Sequence, residues 1–202
     1  MNRRDFAVRA GAMAFTLGVA RGARALAAST PDATAVRAGR VPTVLFDERF
    51  ESCRAFAAGA RRLGCPIRSI AGDVTTLWLN ELEPMWARGE GTVMGMTTPV
   101  SLFCLEQLAR NHWMRVTARI EHRPGAQGTV SHRLELQEPT MRQASAVLAA
   151  DSRWPARLAA PLLEGLQTAS RERGSPRIVA TRFEMPGASL VSLVTWAITP
   201  RI

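Results

Sequence analysis

Between residues 42 and 111 one pattern occurs three times: a short apolar run, a turn, then a stretch with apolar residues at helical spacing. The apolar runs are 42–46, 67–70 and 92–96. The helical stretches are 50–63, 75–82 and 100–111, with Phe50, Cys53, Phe56, Ala57, Ala60 and Leu63 spacing the first at i, i+3, i+4. Gly64 reads as the stop of the first helix, and Pro84 as a break or kink after the second. Thr98 and Pro99 read as N-cap and first residue of the third, which is expected to bury Leu102, Phe103, Leu105 and Leu108. Strand and helix alternating through connections of two to six residues is the pattern of a parallel sheet covered by helices.

Past residue 114 the periodicity changes. Residues 115–123 and 129–136 alternate as strands do, and 124–128 (PGAQG) joins them as a hairpin loop. Residues 140–150 and 157–170 read as helices, with Trp154-Pro155 and Pro161 as interruptions. Residues 178–184 and 190–198 read as a second hairpin around Pro186-Gly187. The expected fold is a single three-layer α/β domain over 42–202, its mostly parallel sheet extended by antiparallel hairpin strands.

The N-terminus carries Asn2-Arg3-Arg4-Asp5-Phe6 ahead of a mild apolar run at 10–20. Paired arginines followed by phenylalanine resemble the twin-arginine (Tat) export signal. The run is eleven residues long, whereas a bilayer span needs about 20. Ala25-Leu26-Ala27 supplies a small-x-small cleavage site, so residues 1–27 are expected to be the signal and 28–41 a flexible leader. The resemblance implies export of the folded protein to a periplasm. No second run approaches membrane length, so no integral span is expected after cleavage.

Composition narrows the partners. The formal charge is +9, but residues 1–27 hold five arginines against one acid and carry +4 of it. All 26 basic residues are arginine; those beyond residue 27 are scattered singly apart from a doublet at Arg61-Arg62, and no basic stripe forms. Nucleic acid is therefore not an expected partner. Cys53, Cys65 and Cys104 show none of the C-x-x-C spacings of thioredoxin, haem or iron–sulfur chemistry and read as free thiols, Cys104 as a small apolar core residue.

Ligands of open parallel sheets bind beyond the carboxyl ends of the strands. That rule gathers Asp47-Glu48-Arg49, Gly72-Asp73 and Gly95-Met96-Thr97-Thr98. The candidate ligand-binding residues are Asp47, Arg49, Asp73, Thr97 and Thr98: a helix start with free N–H groups, two hydroxyls and a guanidinium for one anion. Helix capping is the competing duty for Asp47, Asp73 and Thr98. Neither nucleotide-binding glycine pattern is present, and no motif names a cofactor. Asp47 with Asp73 is the acid/base pair an enzyme would use, whereas Ser101 and Cys104 lack any nucleophile context.

Three histidines, His112, His122 and His132, remain. If the hairpin loop centres on Gln127, His122 and His132 face each other with Cβ atoms about 5 Å apart, a spacing that can share a metal. The leading expectation is an exported α/β protein acting as a small-anion binder or as an accessory subunit of a co-exported enzyme. The alternatives are a hydrolase or transferase with its site at the strand ends, and a metalloprotein using His122 and His132.

Overall fold

A computed structural model describes residues 41–169, 178–186 and 191–201. The expected signal at 1–27, the leader short of Val41 and the Gly187 turn lie outside the described residues.

The first half is built from local signals. β1 (Thr43–Asp47) leads into α1 (Glu51–Arg62), which has an acid in its first turn and Arg61 and Arg62 in its last, matching the helix dipole. Its buried face is Cys53, Phe56, Ala57 and Ala60, and Gly64 at φ +82° ends it. β2 (Ile67–Ile70) follows. The chain then runs through α2 (Thr75–Leu77), a π-helical stretch (Trp78–Leu82) and α3 (Glu83–Ala87). Pro84 occupies the first turn of α3, where no intrahelical N–H is needed, so the helical path continues through it.

β3 (Val93–Thr97) is buried at all five positions, and α4 (Pro99–Arg110) starts at the Thr98 cap as the sequence suggests. The buried face of α4 is Ser101, Leu102, Leu105 and Ala109. That phase turns Phe103 and Cys104 outward, correcting the expectation that both lie in the core.

β4 (Met114–Pro124) and β5 (Thr129–Gln137) form the hairpin, linked by a short 3-10 turn at Ala126–Gly128. α5 (Glu138–Ala150), α6 (Trp154–Arg157) and α7 (Ala159–Ala169) come next, then β6 (Ile178–Pro186) and β7 (Leu193–Pro200). α6 reaches α1 at Gly59, where a Cβ would stand 2.0 Å from the Ala156 carbonyl oxygen, so only glycine admits the contact.

The strands form one mixed sheet in the order β2-β1-β3-β7-β4-β5-β6. β1 pairs in parallel with β2 and β3, and the other four pairings are antiparallel. A mostly parallel sheet is thus overturned, and the cause is β7. β7 runs antiparallel to both β3 and β4 and lies between them, so β4 keeps the direction of β3 without touching it.

The expected second hairpin fails for the same reason: β6 pairs with β5, while β7 crosses to the middle of the sheet. Its residues Leu193–Ile198 are buried without a break. A strand apolar on both faces gains most in a sheet's interior and would waste one face at an edge.

Successive residues of β1 serve different cores. Val44 joins Phe56, Met94, Ile120, Leu134 and Trp154, whereas Leu45 joins Trp78, Trp86, Leu102, Leu105 and Trp196. The first cluster includes residues of α1, α5, α6 and α7; the second includes residues of the Thr75–Ala87 region and α4.

Candidate functional site

The order β2-β1-β3 means that the chain leaves β1 in opposite directions. α1 carries it to β2 over the Val44 side, and the 75–87 helices carry it to β3 over the Leu45 side. In open α/β sheets ligands bind at the carboxyl ends of the two strands that flank such a reversal, which here are β1 and β3. Asp47 ends β1 and Thr97 ends β3.

At these strand ends Asp47 is fully buried and accepts two side-chain hydrogen bonds from Arg49, Nε to Oδ1 at 2.9 Å and an Nη to Oδ2 at 2.7 Å. The Arg49 amide also donates to Oδ1 at 3.2 Å. The Asp47 hydrogen bond is the main cause that raises the Arg49 pKa and holds its charge. Half of the Arg49 side chain is exposed, so a buried carboxylate fixes an outward-facing cation. Gly72, at φ +90°, lies beneath this guanidinium, and a Cβ there would meet an Arg49 nitrogen at 2.3 Å.

The Gly72 carbonyl accepts from Ser101 Oγ at 3.3 Å, and Ser101 Oγ is 3.1 Å from Thr98 Oγ1. Thr98 Oγ1 in turn accepts the Ser101 amide at 3.3 Å. The three strand-end loops therefore meet here: the Arg49 guanidinium packs over Gly72, and the Gly72 carbonyl is hydrogen-bonded to Ser101.

Not every expected residue joins them. Thr97 is fully buried and faces inward, accepting Trp196 Nε1–H at 3.0 Å and donating to the Thr98 carbonyl at 3.1 Å. Asp73 turns to the start of α2 and accepts the Thr75 amide at 2.8 Å; hydrogen bonding from the Thr75 side chain first, and from this amide second, lowers its pKa. Gly95, gathered from sequence with the strand-end cluster, makes room for an indole: a Cβ there would be 2.8 Å from the Trp196 ring and 2.6 Å from the Leu45 carbonyl oxygen. Ser101 was weighed only as a nucleophile, yet it is the link between loops. Its place four residues after Thr97, on the buried side of the helix start, was the available signal.

No family model, curated protein or solved structure matches this chain.

Two of the three histidines form a second cluster, packed with Trp154 of the first apolar core. His122 and His132 are paired across the hairpin register, and both are buried. Their Nδ1 atoms are 2.8 Å apart, and His122 Nε2 is 2.8 Å from Thr195 Oγ1 of β7. The Trp154 ring lies 4.4 Å from the His122 ring and 5.1 Å from that of His132. Burial, with the neighbouring His132 as a lesser cause, holds His122 well below the ordinary histidine range; burial pushes His132 down to about 4. Both rings are neutral at pH 7 as a result. His112 stands elsewhere, its ring 5.3 Å from that of Trp78.

Cys53 and Cys65 are buried free thiols, and burial pushes Cys53 up to about 12, so it carries no thiolate near neutral pH. Cys104 is free and exposed. Among the described residues no helix is long and apolar enough to cross a membrane.

Proposed function

We propose that the protein is an exported, periplasmic binder of a small anionic ligand, held beyond the carboxyl ends of the paired strands β1 and β3. The observation that carries this reading is the Arg49 guanidinium, clamped by buried Asp47 yet half exposed at the strand ends. A guanidinium fixed in advance loses little freedom on meeting a carboxylate or phosphate. The adjacent start of α4 adds partial positive charge. In this reading Arg49 contacts the anion, Asp47 orients Arg49, and Thr98 with Ser101 shapes the rim. Thr97 and Asp73 keep their structural partners and do not touch the ligand. The Arg3-Arg4-Phe6 resemblance supports the export part, and the two apolar clusters support a helix–sheet–helix sandwich of three layers.

Calorimetric titration of the processed protein with a panel of carboxylates and phosphates tests the site. Arg49→Lys keeps the charge but removes the planar fork, so at least a tenfold weaker affinity is expected. A control, Arg115→Gln, alters the separate groove lined by Arg110, Arg115 and Arg201 and leaves affinity unchanged. Equal affinity in Arg49→Lys and wild type overturns the reading. Export is tested by fusing residues 1–27 to a reporter and exchanging Arg3-Arg4 for Lys-Lys, which is expected to stop translocation.

A second reading, an accessory subunit of a co-exported enzyme, is favoured by Val100 and Phe103. They lie one turn apart on the outer face of α4 and are 71% and 60% exposed. Co-purification from the native host with Phe103→Glu as the comparison tests it: loss of a bound protein in the variant supports the reading, and recovery of the wild type alone removes it.

A further inference from the structure

Trp113 stands in the turn that joins α4 to β4, and its backbone is left-handed, at φ +56°. Among the described residues no other non-glycine has a positive φ, and a bulky residue there is a steric outlier. The fold holds it in place: the Arg201 amide donates to the Trp113 carbonyl at 2.7 Å, and Met114 pairs with Pro200 one step further along. Interior packing is not the reason. Trp113 is 76% exposed, whereas the other four tryptophans are 9% exposed or less. A large apolar ring fixed in water at a conformational cost points to something outside the fold that covers it.

The surroundings of the turn are cationic. An open groove is lined by Glu106, Arg110, Met114, Arg115, Val116 and Arg201. Residues 99–116 and 193–201 contain one carboxylate between them, Glu106, which is shared by Arg110 at 3.4 Å and Arg119 at 2.8 Å. Arg115 and Arg201 are exposed, and among the described residues no acceptor is bonded to either guanidinium.

We propose that this corner of the fold, Trp113 with Arg110, Arg115 and Arg201, docks the protein peripherally on an anionic phospholipid surface.

Each part matches one layer of a bilayer face. Guanidiniums pair with headgroup phosphates. An indole settles at the boundary between headgroups and acyl chains, where its ring is covered and its N–H stays wet. A small ligand fits less well, because a ring this exposed has no walls around it. A single soluble anion also gains little from exposed, screened arginines, whereas a bilayer presents many headgroups at once. Single-stranded nucleic acid is held by successive aromatic platforms along a basic track, and this corner offers one aromatic. Phe103 precedes Arg110 by about 10 Å along α4, so the apolar pair that favours a protein partner is a separate feature. The contact does not involve Arg49, so the anion site and this surface are tested independently.

The test mixes the full chain with vesicles of phosphatidylcholine carrying brominated acyl chains, alone or mixed equally with phosphatidylglycerol. Sedimentation reads binding, and quenching of tryptophan fluorescence by the bromines reads Trp113, since the chain before Trp78 holds no tryptophan and the others are buried. Binding is expected to be at least tenfold tighter with phosphatidylglycerol, to quench the fluorescence, and to be lost in about 1 M salt. Arg115→Gln with Arg201→Gln is expected to weaken it at least tenfold. Trp113→Gly removes the ring and relieves the left-handed strain, so binding is expected to fall while the urea midpoint is kept or raised. Equal binding to both vesicles, or undiminished binding in either variant, overturns the proposal. Sedimentation without quenching does so too, and assigns the binding to the arginine-bearing N-terminal segment. Capture of a single-stranded oligonucleotide without vesicle binding assigns the corner to nucleic acid instead.

Discussion

Trp196 and Thr97 are joined by a hydrogen bond, Nε1 to Oγ1 at 3.0 Å, that spans 99 positions of sequence. The indole crosses Gly95 to reach it, and Gly95 and Trp196 are register partners on β3 and β7. This one contact explains a glycine inside a fully buried strand, the burial of Thr97, and part of what holds β7 at the centre of the sheet.

Gly95→Ala is expected to destabilise the fold by about 1–3 kcal/mol through overpacking. The added methyl meets the Leu45 carbonyl oxygen at 2.6 Å, and backbone cannot move aside as a side chain does. Urea unfolding followed by far-ultraviolet circular dichroism measures it; a midpoint unchanged from wild type contradicts the packing account.

Thr97→Val keeps the shape of the side chain but leaves the buried Trp196 Nε1–H without its acceptor. A cost of about 1–3 kcal/mol is expected, whereas Thr97→Ser retains the hydroxyl and most of the stability. Thermal melts of the two variants without ligand separate this structural duty from a ligand-binding one, since a purely ligand-binding threonine leaves the unliganded melt unchanged.

Thr98 caps α4 by accepting the Ser101 amide. Its replacement by alanine is expected to cost about 1 kcal/mol, and replacement by serine or asparagine far less. Comparable unfolding midpoints for Thr98→Ala and Thr98→Ser would show that the cap contributes nothing.

The buried histidine pair makes the protein sensitive to acid. In the unfolded chain a histidine titrates near pH 6.5, whereas burial keeps His122 well below that value and His132 at about 4. Below pH 6.5 the unfolded state binds more protons, so stability is full above that pH and declines as pH falls from 6.5 toward 4. The urea midpoint is expected to be lower at pH 5 than at pH 7.5. In a folded His122→Leu, His132→Leu double variant that difference shrinks, and an equal dependence in both proteins assigns the acid sensitivity to other groups.

The sequence by itself determined what depends on neighbours a few residues apart. The helical spacing at Cys53, Phe56 and Ala60, the Gly64 stop, the Thr98–Pro99 start and the β4–β5 register that opposes His122 to His132 all act over short stretches of chain. The convergence of Arg49, Gly72 and Thr98 was legible too, because parallel strands joined by short crossovers bring their carboxyl ends to one edge.

Tertiary structure alone decided where β7 goes. An apolar run such as 193–198 shows that it wants cover on both faces, but not which strands supply it. Its place between β3 and β4 makes the sheet mixed, engages the Thr97 hydroxyl with Trp196, and delivers Thr195 to His122 across 73 positions. Such pairings depend on the summed fit of two whole sheet faces, which local periodicity does not encode. The same limit hid the outward turn of Phe103 and Cys104: spacing marks α4 as helical, and only the sheet beneath it selects the face that is buried.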